Sequence, residues 1–232
     1  MRYSDPADVK KFGKRECVRS VFDFLFNYII LLALVVLFIW LNTLRLPSEN
    51  FFSYMSEHFN TLVYLMASVF LLCFTIYFYY FFEDKSVLAT QKSIWLIFLM
   101  LDVSILICYF FGYFFNIYSR PIAVLALLAL MLLGRRDAIF LNVIFALMMF
   151  AIDNFSNFSE INEYVNALPG TPLMTFSAGM IAIFFGNKAK TRFQIVGIGL
   201  IIVIPVDFII FLLEVSGLSG SSSGSATAVT GI

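Results

Sequence analysis

The fold is decided by residues 121–152, which read PIAVLALLALMLLGRRDAIFLNVIFALMMFAI. Two apolar runs flank the charged turn GRRD at 134–137. One continuous helix would carry these charges to mid-bilayer at about 2.5–3.5 kcal/mol each, and a re-entrant pair entering from outside would also bury them. We therefore predict a tight helical hairpin with a cytoplasmic GRRD turn, in which Arg120, Arg135 and Arg136 snorkel to lengthen two short spans.

The composition of the chain is that of a polytopic membrane protein. Of its 232 residues 61% are apolar and 13% are charged, whereas soluble domains average about 45–50% apolar and about 25% charged residues. Unbroken apolar runs near the 20 residues that cross a bilayer favour helices over the alternating strands of a barrel. We predict an all-α, polytopic integral membrane helical bundle of about seven transmembrane helices. The predicted spans are 21–44, 61–82, 94–117, 121–133, 138–152, 172–186 and 194–213.

The basic residues are distributed unequally between the two sides of these spans. Of 15 Lys and Arg residues, only Arg45 and Arg120 fall in the loops opposite the amino terminus. By the positive-inside rule the amino terminus is expected to be cytoplasmic. We expect a multi-pass protein of the inner (cytoplasmic) membrane. The net charge of zero does not reveal this unequal distribution of basic residues. We expect the lipid bilayer as the partner of the protein, and no nucleic acid. The main cytoplasmic determinants of this topology are Arg135, Arg136, Lys188, Lys190 and Arg192.

The chain divides into five segments along its length. Residues 1–20 form a cytoplasmic amino-terminal segment, 21–44 a leading transmembrane helix, 45–60 a short outer loop, and 61–213 a six-helix membrane bundle. The leading run is too long for a cleavable signal peptide, whose apolar region has about 7–15 residues, so it acts as a signal anchor. The Gly-, Ser- and Ala-rich tail, 214–232, is either the small-residue start of a further membrane helix or a flexible end.

No motif of soluble-enzyme chemistry occurs in the sequence. His58 is the single histidine, and the sequence holds no CxxC pair and no HExxH, GxxxxGK[ST] or GxSxG pattern. We therefore predict no catalytic residue, no metal site and no cofactor on this chain.

Two acidic residues inside predicted spans are the candidate ligand or ion site. Asp102 lies about 12 Å from the cytoplasmic end of its span and Asp207 about 10 Å from the outer end of its own. An intramembrane acid by default marks a polar cavity, an ion path or an interhelical hydrogen bond. We predict that the two carboxyls share a polar interior, because their depths differ by less than about 10 Å. No Lys or Arg lies deep in any predicted span to pair with them.

A second reading of the same acids is purely structural. Each acid would then hydrogen-bond a neighbouring helix through groups such as Ser104, Tyr109, Asn142 or Ser177. The proline at 205 supports the functional reading instead. Pro205 removes one backbone hydrogen bond close to Asp207, which favours a functional kink there. Both readings remain open at this point.

Two segments resemble a known membrane region. They are 119–150, SRPIAVLALLALMLLGRRDAIFLNVIFALMMF, and 171–212, TPLMTFSAGMIAIFFGNKAKTRFQIVGIGLIIVIPVDFIIFL. Both are similar to the transmembrane region of the bacterial seven-transmembrane HD phosphohydrolases, membrane-bound cyclic di-AMP phosphodiesterases. The shared pattern is a proline-led helix, a tight basic turn, a second short helix, and later a small-residue helix, a basic inner loop and a glycine-containing helix.

The resemblance implies a sensory or anchoring region that passes a signal to a cytoplasmic output domain or partner protein. In that family a leading span precedes an extracytoplasmic domain, and seven further spans connect to the HD domain. Here about 16 residues replace the outer domain. This chain also lacks the His and Asp metal ligands of the HD domain, so it is not an enzyme by itself and no catalytic residue transfers. We expect an unknown small ligand, an oligomer, and one more span after Ile232.

Two alternatives from other classes remain. The chain is a small solute-binding or transport component that uses Asp102, Asp207 and the helix break at Pro205. Otherwise it is a membrane scaffold that packs against other membrane proteins and binds no small molecule.

Overall fold

The structure of the protein, a computed structural model, describes residues 14–43, 55–56, 59–83, 91–115, 119–155, 170–187 and 192–215. Within these residues the chain forms seven α-helices and no strand, so the prediction of an all-α bundle is confirmed. The helices are α1 (Lys14–Thr43), α2 (Phe59–Glu83), α3 (Gln91–Phe114), α4 (Val124–Leu132), α5 (Arg135–Phe155), α6 (Gly170–Gly186) and α7 (Arg192–Val215).

Four of these helices are long and apolar enough to cross a membrane. They are the cores of α1, α2, α3 and α5, at Val18–Leu41, Leu62–Glu83, Lys92–Phe114 and Arg135–Asn154. The apolar parts of α6 and α7 are shorter, at Gly170–Gly186 and Val196–Leu212. Helix α4 has nine residues and rises about 14 Å, roughly half the hydrocarbon thickness. The described part of the chain therefore has as many helices as we predicted spans, but fewer of full membrane length.

Helices α4 and α5 form a hairpin around the GRRD turn. The backbone N–H groups of Leu133 and Gly134 both donate to the Ala129 carbonyl, at 2.8 and 3.1 Å. Gly134 then takes φ +117°, a conformation that closes a helix end and is open mainly to glycine. Ala138 N–H donates back to Gly134 O at 3.0 Å and starts α5. The chain thus breaks where the charges predict a break, not as one continuous helix.

Helices that follow one another along the chain run in opposite directions. Asn27, in the first half of α1, donates to the hydroxyl of Tyr77, in the last third of α2, at 3.1 Å. Tyr109 near the end of α3 reaches the Phe38 carbonyl near the end of α1, so α1 and α3 are parallel. Gly186 at the end of α6 contacts Leu130 near the end of α4. The alternation places the start of α1, the end of α2 and the GRRD turn at one end of the bundle, which we call the basic end.

The densest packing surrounds the hairpin. Helix α6 packs against α4, α5 and α7, while α3 packs against α1, α4 and α5, and α2 packs against α1 and α5. Small residues at the centre let the helix backbones approach closely, which is the usual source of helix association in lipid. The fully buried small residues of this centre are Ala126, Ala129, Ala138, Ala178 and Ala182.

Several helix ends differ from the predicted spans. Helix α5 continues beyond residue 152 to Phe155, and α4 begins at Val124 rather than at 121. The first difference brings Asp153 into a helix, and the second leaves Arg120 in the turn that precedes α4. Lys188, Lys190, His58 and the tail from 216 lie outside the described residues, as does most of the predicted outer loop at 45–60.

Candidate functional site

A buried ion pair joins the two open ends of the α4–α5 hairpin. Arg120 Nη1 donates to Asp153 Oδ2 at 2.6 Å, and the side chains are 1% and 0% exposed. Asp153 lies in the last turn of α5, and Arg120 lies just before α4. Because the hairpin is antiparallel, residues 33 positions apart in sequence meet at the end opposite the GRRD turn.

Helix α3 forms the third wall of this ion pair. A Cβ added at Gly112 would overlap the Arg120 guanidinium at Nε, so a glycine is needed for the arginine to pass. Cys108, one turn earlier, lies within electrostatic range of both Arg120 and Asp153. The second carboxylate oxygen, Asp153 Oδ1, is buried and accepts no hydrogen bond from the described residues. The pair therefore links the hairpin to α3 in addition to linking α4 to α5.

The sequence prediction for these two residues is wrong. We predicted that Arg120 snorkels to water, and the predicted span 138–152 ends one residue before Asp153 and so leaves it in an outer loop, but both side chains are buried. Hydropathy treats each charge separately and so places both outside the membrane. One signal was available: the charges are opposite in sign and sit at the two ends of a hairpin, where an antiparallel arrangement brings them to the same level.

Asp102 lies half-buried on α3 and carries an oxygen without a donor. Its Oδ1 is buried, and no hydrogen bond reaches it within the described part of the chain. The Cys73 thiol of α2 lies within electrostatic range of this carboxyl. A buried polar atom that lacks a partner costs free energy, so this position calls for a functional or solvent explanation.

None of the four predicted hydrogen-bond donors reaches either acid. Tyr109 OH donates to Phe38 O at 3.0 Å, and Ser177 Oγ donates to Met174 O at 3.1 Å. Asn142 Nδ2 donates to Phe176 O at 3.1 Å. Ser104 Oγ is buried without a hydrogen bond among the described residues. The structural reading of Asp102, in which one of these groups satisfies the carboxyl, is therefore not what the structure shows.

A line of polar groups leads from the basic end toward Asp102, between α1, α2 and α3. Asp23 accepts from Trp95 Nε1 at 3.3 Å and lies 3.8 Å from Arg19 Nε. One helical turn further, Asn27 donates to the Tyr77 hydroxyl at 3.1 Å. Cys73 is one turn beyond Tyr77 on α2. We call this set the polar ladder; its members are Asp23, Asn27, Tyr77, Cys73 and Asp102.

Asp207 lies outside the bundle interior. It is exposed on α7, whose principal packing partner is α6. Pro205 is accommodated inside the helix, which continues to Val215. Asp102 instead lies on α3, which packs against α1, α4 and α5. The structure does not bring Asp102 and Asp207 into one shared polar interior.

The topology determinants that the structure describes cluster around the GRRD turn. Arg135 stands over the Phe184 ring of α6 at 4.7 Å. Arg136 forms an exposed ion pair with Glu83 at the end of α2, and the Tyr79 hydroxyl donates to Asp137 Oδ1 at 3.4 Å. These contacts hold three helix ends together at the basic end. Arg192 begins α7, and its side chain lies outside what the structure describes.

A further polar contact lies at the centre of the α5–α6 interface. Asn142 is fully buried, and a Cβ added at Gly179 would overlap its side-chain amide. The close approach lets Asn142 Nδ2 reach the Phe176 carbonyl on α6. Within the described residues, no three His, Cys, Asp or Glu side chains form a metal-binding group.

Comparisons of the chain with protein families, curated proteins and solved structures found no match.

Proposed function

We propose that this chain is a seven-pass inner-membrane module whose basic end faces the cytoplasm. The alternating helix directions support this, because they place Arg19 of α1 and the two turn arginines at one end. The amino terminus is then cytoplasmic by the positive-inside rule. In this proposal the short α4 crosses the membrane together with the turn that precedes it. The charge of Arg120 is then neutralised inside the bundle by Asp153 and is not solvated by water.

In this proposal the module is the membrane sensory or anchoring region of an HD-type cyclic-dinucleotide phosphodiesterase. The observation that carries it is the Arg120–Asp153 ion pair, which ties the outer end of the hairpin to α3. Helix α5 runs without a break from that pair to the GRRD turn. A change in packing at the outer end of the hairpin therefore displaces the cytoplasmic turn. A cytoplasmic output domain bound to that turn changes its activity in response. The chain itself carries no catalytic step in this scheme.

The topology is tested with single cysteines at two exposed positions of α5. Arg135→Cys lies at the basic end and Asn154→Cys at the opposite end. In sealed, right-side-out membranes a reagent that cannot cross the bilayer is expected to label only Asn154→Cys. Both variants also carry Cys17→Ser, and the Cys17→Ser chain without an added cysteine supplies the background, since Cys73 and Cys108 are buried. Labelling of Arg135→Cys alone would reverse the orientation.

The sensory role is tested by reconstitution. The chain is placed in phospholipid vesicles with the separate HD domain of a cyclic di-AMP phosphodiesterase, and hydrolysis of cyclic di-AMP is measured. We expect the domain to sediment with the vesicles and its rate to change. We expect Arg120→Leu to alter that rate, whereas the exposed Leu71→Ala on α2 should not. An HD domain that neither binds the vesicles nor changes rate contradicts the proposal.

A second candidate function rests on Asp102. Its buried Oδ1 lacks a hydrogen bond, and the polar ladder approaches it from the basic end. This arrangement suits a proton or small-cation site in a solute-binding or transport component, without any part for Asp207. Asp102→Asn should abolish cation-dependent uptake into vesicles, whereas Asp207→Asn should not. Failure of both this test and the reconstitution would leave a scaffold that binds neighbouring membrane proteins.

A further inference from the structure

Asp102 lies on the face of α3 that packs against α1. Trp95, two turns earlier on this face, donates to Asp23 of α1. Tyr109, two turns later on it, donates to a backbone carbonyl of α1. The residues in these two bonds are 72 and 71 positions apart in sequence, so Asp102 is level with Leu31 of α1, about 12 Å further into the bundle than Asp23.

The polar ladder connects this level with the basic end. Cys73 of the antiparallel α2 lies within electrostatic range of the Asp102 carboxyl. One turn nearer the basic end, the Tyr77 hydroxyl accepts the hydrogen bond from Asn27 of α1. One turn further, Asp23 lies beside an arginine side chain that is 49% exposed, so the ladder begins where the bundle meets water.

Beyond Asp102, the contact between the same helices is apolar. Tyr109 closes it, because its ring stacks on Phe38 with the centroids 3.7 Å apart. Ser104 and Cys108 lie on another side of α3, the side that faces the α4–α5 hairpin. Within the described residues, the buried side chains of α1 and α2 beyond this level are Val35, Phe38, Ile39, Leu65, Val69 and Leu72. The polar route to Asp102 therefore comes from the basic end.

No cationic side chain stands level with Asp102 in the described helices. The charges of α5 lie at its two ends, and α4 has no titratable residue. Arg120 meets α3 at Gly112, about 15 Å beyond Asp102. The titratable side chains within about two turns of this level on α1, α2 and α3 are Asp23, Tyr28, Cys73, Tyr77, Tyr79, Tyr80, Cys108 and Tyr109. A carboxylate here lacks a counter-charge, so binding of a cation removes a large desolvation cost.

The groups around Asp102 suit a proton better than a metal cation. Hard metal cations take about six or more oxygen ligands. At the level of Asp102, α1 contributes the apolar Leu31 and α2 the thiol of Cys73, neither of which is an oxygen ligand. A proton needs a single acceptor, and the buried Asp102 Oδ1 accepts no hydrogen bond from the described residues.

We propose that Asp102 binds one proton, which reaches it through the polar ladder from the basic end alone. The proton leaves a hydronium ion in the water at that end and converts the carboxylate into a carboxylic acid, and no other bond changes. Successive levels of the ladder are about 5–6 Å apart, a gap that one water molecule bridges with two hydrogen bonds. The inference deepens the second candidate function, on which it rests, by naming the cation and its side of entry.

Infrared spectroscopy of the full chain in phosphatidylethanolamine and phosphatidylglycerol vesicles tests the site. We expect a carboxylic acid C=O band that disappears at alkaline pH and is lost in Asp102→Asn. The matched control is Asp207→Asn on α7, which should keep this band. Absence of an Asp102-dependent band at every pH at which the chain is folded overturns the proposal, as does a band that Na⁺ or K⁺ removes. If Asp102→Asn fails to fold, Asp102→Glu decides, because it should shift the same band.

The growth of this band after a drop in pH tests the route. Tyr77→Phe removes a hydroxyl from the polar ladder and should slow the growth about tenfold, the rate equivalent of one lost hydrogen bond. Tyr109→Phe is the matched control, because Tyr109 is also buried but lies on the closed side, and it should leave the rate unchanged. Equal rates in the two variants overturn the route. If Tyr77→Phe fails to fold, Cys73→Ala decides, because it removes the next polar group.

Acidification of one side of sealed vesicles tests the direction of entry. Labelling at Arg135→Cys and Asn154→Cys in parallel vesicles shows which end of the bundle faces outward. With a buffer that cannot cross the bilayer, acid at the basic end should produce the Asp102 band and acid at the opposite end should not. An equal response from both sides, or a response from the opposite side alone, overturns the proposal.

The uptake assay separates failure of this inference from failure of the candidate function. Cation-dependent uptake that is lost in Asp102→Asn, without any Asp102 band, keeps the transport role and overturns the proton site. An Asp102 band with uptake that is unchanged in Asp102→Asn supports the proton site and removes only the transport role.

Discussion

Arg120 and Asp153 form a buried ion pair of 2.6 Å that closes the hairpin at the end opposite its turn. Both groups have left water, so the pair stabilises the fold only while both partners are present. Gly112 on α3 supplies the space through which the guanidinium reaches the carboxylate. The ion pair thus sets the positions of three helices relative to one another.

Loss of one partner of this pair is expected to be strongly destabilising. Arg120→Leu leaves the Asp153 carboxylate buried without its counter-charge and should cost about 3–5 kcal/mol of unfolding free energy. Arg120→Leu combined with Asp153→Leu removes both charges and should recover much of that loss. Unfolding in detergent micelles, followed by circular dichroism, measures each variant. Additive losses in the double variant would show that the pair is not coupled.

Gly112 provides a test of the space around the guanidinium. Gly112→Ala places a Cβ against Arg120 and should destabilise by about 1–3 kcal/mol, because the arginine has to shift within a packed interior. Gly197→Ala is the matched control, since a Cβ there meets nothing within 4 Å. That control should be neutral or stabilising by up to about 1 kcal/mol through helix propensity. The same detergent unfolding assay compares them, and equal effects would contradict the contact at Gly112.

Gly179 and Asn142 are expected to show coupled effects. Gly179→Ala pushes a Cβ into the Asn142 amide and should cost about 1–3 kcal/mol. Asn142→Ala removes the obstructing amide together with its hydrogen bond to Phe176 O. In the double variant the cost should be clearly below the sum of the two single costs, because residues in contact are not additive. Thermal unfolding of the two single variants and the double variant measures this coupling.

Gly134 is expected to tolerate few substitutions, although a Cβ there meets no neighbour within 4 Å. Its φ of +117° lies in a region that side-chain-bearing residues adopt only at a cost of about 1–3 kcal/mol. Gly134→Ala should lower stability by that amount, and Gly134→Asn by less, because Asn accepts positive φ more readily. Proteolysis at the GRRD turn reports local opening. A fully stable Gly134→Ala would contradict the backbone argument.

The sequence predicted the hairpin well because its determinants are local. Charges at Arg135, Arg136 and Asp137 cannot remain in hydrocarbon, and Gly134 supplies the required conformation one residue earlier. Prediction was poorer for Arg120 and Asp153, since no short-range pattern shows that two charges 33 residues apart meet. For Asp207, hydropathy showed that an acid lies within an apolar run but not which side of the helix it occupies.

The sequence by itself determined the helical class, the charge asymmetry and the break at GRRD, because each depends on the free energy of placing single residues or short runs in lipid or water. Tertiary structure alone decided that Arg120 and Asp153 neutralise each other, that Asp102 ends a polar ladder, and that Asp207 faces away from the bundle. These outcomes depend on which helix faces meet. Several packings of similarly apolar helices satisfy the same hydropathy pattern, and the close contacts at Gly112 and Gly179 select among them.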